Sequence, residues 1–185
     1  MIKKIIIIYF ITIIFNPLKA DLKDEIILNF KQIENLSFDF KQTIDEKTET
    51  GNCTIKYPKK IYCLYNNANK KIIVSNGKSL VVKNQKNNQY YLYPLKKTPL
   101  EIILDKNYLI NEMQKSEGRI IDDKYYNFTL IKNESEINIF FNTKTLNLIG
   151  WQTEDIYQNL VVTYIFNVKK NSNINKKIFK LPEAH

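Results

Sequence analysis

Between Phe38 and Ile44 the side chains alternate: Phe38, Phe40, Gln42 and Ile44 fall on one parity, Asp39, Lys41 and Thr43 on the other. A period of two is the mark of a half-buried strand, since successive side chains on an extended backbone point to opposite faces. Further strand candidates follow at residues 49–56, 60–65, 71–74, 80–83, 89–95, 119–121, 125–131, 136–141, 146–153, 160–168 and 177–181. The separators carry turn chemistry: Ser75-Asn76-Gly77-Lys78 is a strong hairpin signal, and residues 85–88 and 142–144 are polar breaks. Short strands with short connections predict a mainly β chain with some helix, built on a single antiparallel sheet of about eleven strands. A sheet of that size curls rather than staying flat.

Two segments break the β rhythm. Leu22, Ile26, Ile27, Phe30, Ile33 and Leu36 recur at helical spacing, with Asp21, Asp24 and Glu25 in the first turn. Acids there complement the helix dipole, so an amphipathic N-terminal helix is predicted. In mid-chain, Thr98-Pro99-Leu100-Glu101 places a capping-type Thr before a first-turn Pro and a Glu three residues after the cap. Ile102, Ile103 and Leu104 follow, so a short apolar helix is expected inside a β protein.

The first twenty residues are expected to be a leader. Lys3 and Lys4 precede an apolar run from Ile5 to Phe15, and Asn16-Pro17-Leu18-Lys19-Ala20 closes it with a small residue. That is the layout of a secretory signal peptide, cleaved after Ala20; a spanning anchor would need roughly 20 apolar residues. Cleavage removes Lys3, Lys4 and Lys19 and no acid, so the formal charge falls from +9 to +6. Export makes nucleic acid an improbable partner for this basic chain, whose lysines are scattered rather than striped. Residues 21–185 are one domain's worth of chain, by the usual ~100 to 200 residues per domain.

Cys53 and Cys63 are the only cysteines, and they flank a turn at Tyr57-Pro58-Lys59-Lys60. In a hairpin centred there the sulfurs face one another, which an oxidising compartment could exploit. Two readings stay open, a disulfide or two buried thiols acting as small hydrophobes.

Catalytic chemistry has little to draw on. His185, the single histidine, is the last residue, and two cysteines with one histidine do not make a zinc site. Asp122-Asp123 and Glu154-Asp155 read as turn and surface acids, because neighbours on a strand point apart. No nucleotide-binding, zinc-protease, nucleophile-elbow or EF-hand spacing occurs. The chain is expected to be neither an enzyme nor a cofactor or metal protein.

The rings are the remaining signal. With 12 Tyr, 10 Phe and 1 Trp there is more ring surface than a thin sandwich requires. Either the rings fill an ordinary core, or they line a concave face left partly empty for a ligand, as in larger barrels.

The order of local motifs resembles one family, the periplasmic lipoprotein carrier LolA. A helix precedes Phe40-Lys41-Gln42, and Gly51 precedes a strand ending Lys56-Tyr57-Pro58. Ile61-Tyr62-Cys63-Leu64-Tyr65, Ile73-Val74-Ser75-Asn76-Gly77-Lys78-Ser79-Leu80, Thr98-Pro99-Leu100 and Phe179-Lys180-Leu181-Pro182 then follow. The resemblance implies an incomplete β-barrel covered by helices acting as a lid. Its cavity would take the acyl chains of a lipoprotein released by an inner-membrane ABC transporter and hand them to an outer-membrane acceptor, LolB. No cysteine follows the leader, which favours a soluble carrier, expected to be a periplasmic monomer, over the lipid-anchored acceptor. One departure stands out: many members carry an arginine before the proline, where it helps hold the lid shut, and this chain has Tyr57.

Alternation then places Ile55, Tyr57, Ile61, Cys63 and Tyr65 on one face of the first hairpin, with Phe38, Phe40 and Ile44 from the preceding strand. Leu80 and Val82 join them; Leu100, Ile103 and Leu104 would form the inner side of the short helix, Phe30 that of the N-terminal helix. Trp151 sits where the family has an inward aromatic. These fifteen are the candidate cavity residues. Plain core packing is the alternative for each. Two other functions stay open, a lipoprotein-sensing regulatory module of the same fold and a lipid hydrolase.

Overall fold

The computed structural model describes residues 21–67, 69–87, 89–132, 135–155 and 158–184. The expected leader, residues 1–20, and His185 lie outside them. The first described element is helix α1 (Leu22–Lys31), capped by the Asp21 side chain, which accepts from the Lys23 N–H. Strands β1 (Asn35–Ile44), β2 (Lys47–Lys56), β3 (Lys60–Tyr65), β4 (Lys71–Asn76), β5 (Ser79–Asn84) and β6 (Tyr90–Pro94) follow. A 3-10 turn (Leu95–Lys97), α2 (Leu100–Leu104) and α3 (Lys106–Lys115) lead to β7 (Arg119–Ile121), β8 (Tyr125–Lys132), β9 (Ser135–Asn142), β10 (Leu148–Glu154) and β11 (Leu160–Lys170).

All eleven strands belong to one antiparallel sheet in the order β6-β5-β4-β3-β2-β1-β11-β10-β9-β8-β7. The first six strands run outward from the centre as hairpins, and the last five run inward from the far edge until β11 pairs with β1. The link between the two halves, residues 95–118, must therefore join one edge of the sheet to the other. Because β6 and β7 do not pair, the barrel is open, and the linking helices lie over its inner face.

Curvature has local causes. The β1–β11 register shifts between Ser37 and Asp39, and the β10–β9 register between Leu148 and Gly150; bulges of this kind bend and twist a strand. At Gly150, φ is +156°, and a Cβ would sit 2.2 Å from the Thr163 carbonyl oxygen, so the close approach of β11 requires glycine.

Helices α1 and α3 form one body. Lys23, at the start of α1, donates to the Gln114 and Ser116 carbonyls at the end of α3, at 2.9 and 2.8 Å. Lys106, at the start of α3, donates to the Lys31 and Ile33 carbonyls at the end of α1, at 3.0 and 2.8 Å. Each ammonium thus satisfies helix-end carbonyls that lack intrahelical partners. Ile26, Ile27 and Phe30 of α1 and Leu109 and Met113 of α3 press into a solid core with Leu36, Ile55, Phe128, Ile137 and Phe141 from the sheet.

Three sequence expectations need correction. Residues 177–181 do not form a strand: a 3-10 turn (Lys176–Phe179) packs against β3 and β4 instead. Ile72, Val74 and Val81 are buried yet stand apart from the main core cluster, as does Phe179, so a second small apolar layer lies on the outer face. The expected capping box is not made, because the Thr98 hydroxyl turns back to the Leu95 carbonyl at 2.8 Å and Glu101 is engaged elsewhere. Leu36 belongs to β1 rather than to α1, which ends at Lys31. Helix α3 was not anticipated, although Asp105 caps it through the Tyr108 N–H and Leu109 and Met113 are four residues apart.

Candidate functional site: an apolar cavity under a short helix

The interior is divided. Where α1 crosses, it is filled: Phe30 meets Tyr57 and Phe141 edge to face at 5.9 and 5.7 Å between centroids. Beyond that plug a cavity of about 310 Å³ opens between the sheet and α2. Its floor comes from β1 through Phe38, Phe40 and Ile44, from β3 through Ile61, Cys63 and Tyr65, and from β5 through Leu80 and Val82. Leu100 and Ile103 of α2 form the roof, and Trp151 of β10 closes one side, edge to face with Phe38 at 6.3 Å.

Four of the fifteen candidates fall elsewhere. Phe30, Ile55, Tyr57 and Leu104 are buried but do not line the cavity, because they belong to the filled part of the core, where the Phe30 ring packs against Tyr57. Parity puts Ile55 on the buried face, but it does not say how far along the strand the hollow extends. The cavity wall also takes in residues that sequence reasoning did not single out for it, among them Gln42, Ile73, Tyr93, Val161 and Thr163. Gln42 shares the parity of Phe38 and Phe40, so alternation alone could have found it; β11 was read as a strand but its faces were not assigned. Lys97, Thr98, Pro99, Glu154 and Asp155 mark the polar end of the cavity.

Cys53 and Cys63 are paired directly across β2 and β3, with Cα atoms 4.1 Å apart, and are joined as a disulfide whose two residues both line the cavity. Gly51, two residues earlier, leaves room for the rings on either side. A Cβ there would lie 2.8 Å from the Phe40 ring and 2.2 Å from the Leu64 carbonyl oxygen. Phe40 and Tyr65 instead meet over it at 4.8 Å.

The roof is held by charge as well as by apolar contact. Glu101 of α2 accepts from Lys59, on the β2–β3 turn, at 2.8 Å and from Lys132 of β8 at 2.6 Å. Lys59 also reaches Asp105 at 3.0 Å, and its backbone N–H donates to the Leu104 carbonyl, a helix-end acceptor, at 2.9 Å. One carboxylate therefore links α2 to both halves of the sheet. Burial pushes the Glu101 carboxyl up, but hydrogen bonds from Lys132 and Lys59 outweigh it and leave the pKa below the usual value. The hydrogen bonds to Glu101 and Asp105 raise the Lys59 pKa.

Tyr57, at the position where the resemblance implies a closing arginine, makes no such contact. It is 8% exposed, its hydroxyl has no hydrogen-bond partner among the described residues, and burial raises its pKa. The contact with the covering helix is made instead by Lys59, two residues on. Among the described residues no group of His, Cys, Asp or Glu could hold a metal, and no helix is long and apolar enough to cross a membrane.

An open antiparallel half-barrel with a helix over an apolar hollow is a ligand-binding architecture. The family model described as outer membrane lipoprotein carrier protein LolA matches residues 31–182, and the chain belongs to that family. Among solved structures, the complex of MucA and MucB from Pseudomonas aeruginosa is similar at a TM-score of 0.50 and 10% identity, over 88% of this chain and 62% of that chain. A LolA superfamily protein from Nitrosomonas europaea is similar at a TM-score of 0.46 and 11% identity, over 88% of this chain and 99% of that chain. A DUF1329 family protein from Desulfovibrio piger has a TM-score of 0.46 and 10% identity, over 86% of this chain and 95% of that chain. No curated protein is significantly similar in sequence.

Proposed function

We propose that this protein is a periplasmic carrier that shields the acyl chains of lipoproteins, taking them from an inner-membrane ABC transporter and passing them to an outer-membrane acceptor. The observation that supports this reading most is the apolar cavity beneath α2. Each buried methylene is worth about 0.8 kcal/mol, so a long acyl chain left in water is costly and a greasy hollow is an effective shelter. No bond need be broken: cargo leaves when the roof opens onto a more favourable apolar surface.

Size sets a condition on the mechanism. At ~30 Å³ for a water-sized group, the 310 Å³ cavity holds about ten methylenes. That is less than one long chain, so a full lipoprotein anchor needs α2 to shift outward or part of the chain to run on past the mouth of the hollow. The helix is five residues long and is held to the sheet by apolar contact and ion pairs rather than by strand pairing.

The test is uptake of N-phenyl-1-naphthylamine, an apolar dye that brightens on leaving water. The purified protein should bind it, Ile61→Glu should abolish binding, and Val82→Trp, which fills the hollow from a less buried position, should weaken it. A folded protein that ignores the dye, or uptake unchanged by both substitutions, overturns the reading. In cells, depletion should strand lipoproteins at the inner membrane.

A further inference from the structure

The floor of this apolar cavity contains one polar cluster. Gln42 of β1 faces Thr163 of β11 directly across the central strand pair. The Gln42 side-chain amide donates to the Thr163 hydroxyl at 3.0 Å, and the Tyr65 hydroxyl donates to the Gln42 side-chain oxygen at 3.2 Å. Tyr65 stands two strands away from β1. Its ring lies over Gly51, against Phe40, and its hydroxyl reaches Gln42 from there. All three side chains line the cavity.

Counting donors and acceptors leaves a surplus. An amide nitrogen can only donate and an amide oxygen only accept. With Tyr65 donating to the oxygen and Thr163 accepting from the nitrogen, one Gln42 N–H and the Thr163 O–H remain unused. No hydrogen bond among the described residues takes either one, and Thr163 is only 4% exposed. Thr163 is buried and Gln42 half-buried, and a donor left without an acceptor is destabilising to the extent that it is buried, whereas apolar side chains of the same shape would be close to neutral. Leucine and valine would complete an all-apolar floor, yet the chain presents two donors there.

We propose that Gln42, Tyr65 and Thr163 form a polar anchor that binds an acyl carbonyl oxygen, the group that joins each hydrocarbon tail to the rest of a lipid as ester or amide. This rests on the lipid-carrying reading above and sharpens it. The hollow recognises an acyl group and not bare hydrocarbon, and the anchor sets the depth to which the tail enters. A neutral carbonyl suits the site better than a carboxylate. Lys71, 3.8 Å from the Tyr65 ring centroid, is already paired with Glu49, and among the charged side chains that line the cavity Lys97 is outnumbered by Glu154 and Asp155, so an added negative charge is not favoured.

Displacement of bound N-phenyl-1-naphthylamine by dodecane, methyl laurate and laurate tests this. The comparison is made for the wild type, for Thr163→Val, and for the double variant Gln42→Leu with Thr163→Val. Using each variant's effect on ester relative to hydrocarbon cancels the different hydration of the ligands. The anchor predicts that the double variant weakens methyl laurate about three- to tenfold, the worth of a lost hydrogen bond or two, while dodecane changes by less than about twofold. Thr163→Val falls between them, and laurate gains less from the anchor than the ester does. Equal effects on ester and hydrocarbon, or none on either, would overturn the anchor and leave the carrier standing. Laurate showing the largest dependence would overturn the choice of a neutral carbonyl. If the wild type binds neither dye nor any ligand, the carrier reading falls first and the anchor with it.

Discussion

Lys59 and Glu101 meet at 2.8 Å, joining the turn between β2 and β3 to the helix that roofs the cavity. Lys132 closes on the same carboxylate from the other half of the sheet, so its removal releases the roof from both sides. These charges are only partly exposed, which places them between weak surface pairs and fully buried ones. Glu101→Gln is expected to cost about 1–2 kcal/mol at neutral pH and to speed dye entry.

The same pair makes a signed prediction with pH. The Glu101 pKa is lowered on folding, so its contribution is present above the unfolded carboxylate value of about 4.3 and is lost as pH falls through the folded value beneath it. The Lys59 pKa is raised, so its contribution is present below about 10.4 and is lost as pH rises through the higher folded value. The gap in melting temperature between wild type and Glu101→Gln should be widest in between and close toward both extremes. A gap independent of pH would mean that the pair does not hold the roof.

Tyr57 is a second point of leverage. Its hydroxyl is buried with no partner among the described residues, while its ring packs against Phe30. Tyr57→Phe keeps the ring and removes the desolvated group, and is expected to stabilise the protein by about 1 kcal/mol. Urea denaturation would read this as a higher midpoint at unchanged slope; a lower midpoint would show that the hydroxyl has found a partner in solution.

The bond between Cys53 and Cys63 closes a short loop in the cavity floor. Replacing both with serine is expected to cost about 2–3 kcal/mol through the unfolded chain's regained freedom. Intact-protein mass before and after reduction should differ by two hydrogens, and an unchanged mass would contradict the linkage.

Phe179 anchors the C-terminal segment on the outer face and is 3% exposed. Phe179→Ala is expected to cost about 3 kcal/mol, as deletion of a buried ring does, yet to leave dye affinity unchanged, because the sheet separates Phe179 from the cavity. Loss of affinity in a folded variant would place the outer layer in the binding mechanism.

Much of this is legible in the sequence. The parity of Phe38, Phe40 and Ile44, and of Ile61, Cys63 and Tyr65, puts each trio on one face, and in the structure both faces border the cavity, since parity depends only on the two-residue repeat of an extended chain. The short helix after Pro99 is legible too, although its Glu101 suits half of a capping box and instead pairs with Lys59 and Lys132. Residues 177–181 have strand-like composition but do not join the ladder: the segment finds apolar cover on β3 and β4, which lie inside the sheet and are already paired on both sides.

The sequence by itself thus determined the local rules: which segments extend, which coil into helices, and which side chains turn inward together. Only the tertiary structure decided that the interior is solid beneath α1 and hollow beneath α2, so that Phe30, Ile55, Tyr57 and Leu104 became core while their neighbours became cavity wall. It also decided that Lys59 and Lys132 would converge on one carboxylate. The reason is physical. Backbone periodicity is written within a few residues, but empty volume and ion pairing depend on where segments far apart in the chain are brought together, and no local pattern encodes that sum.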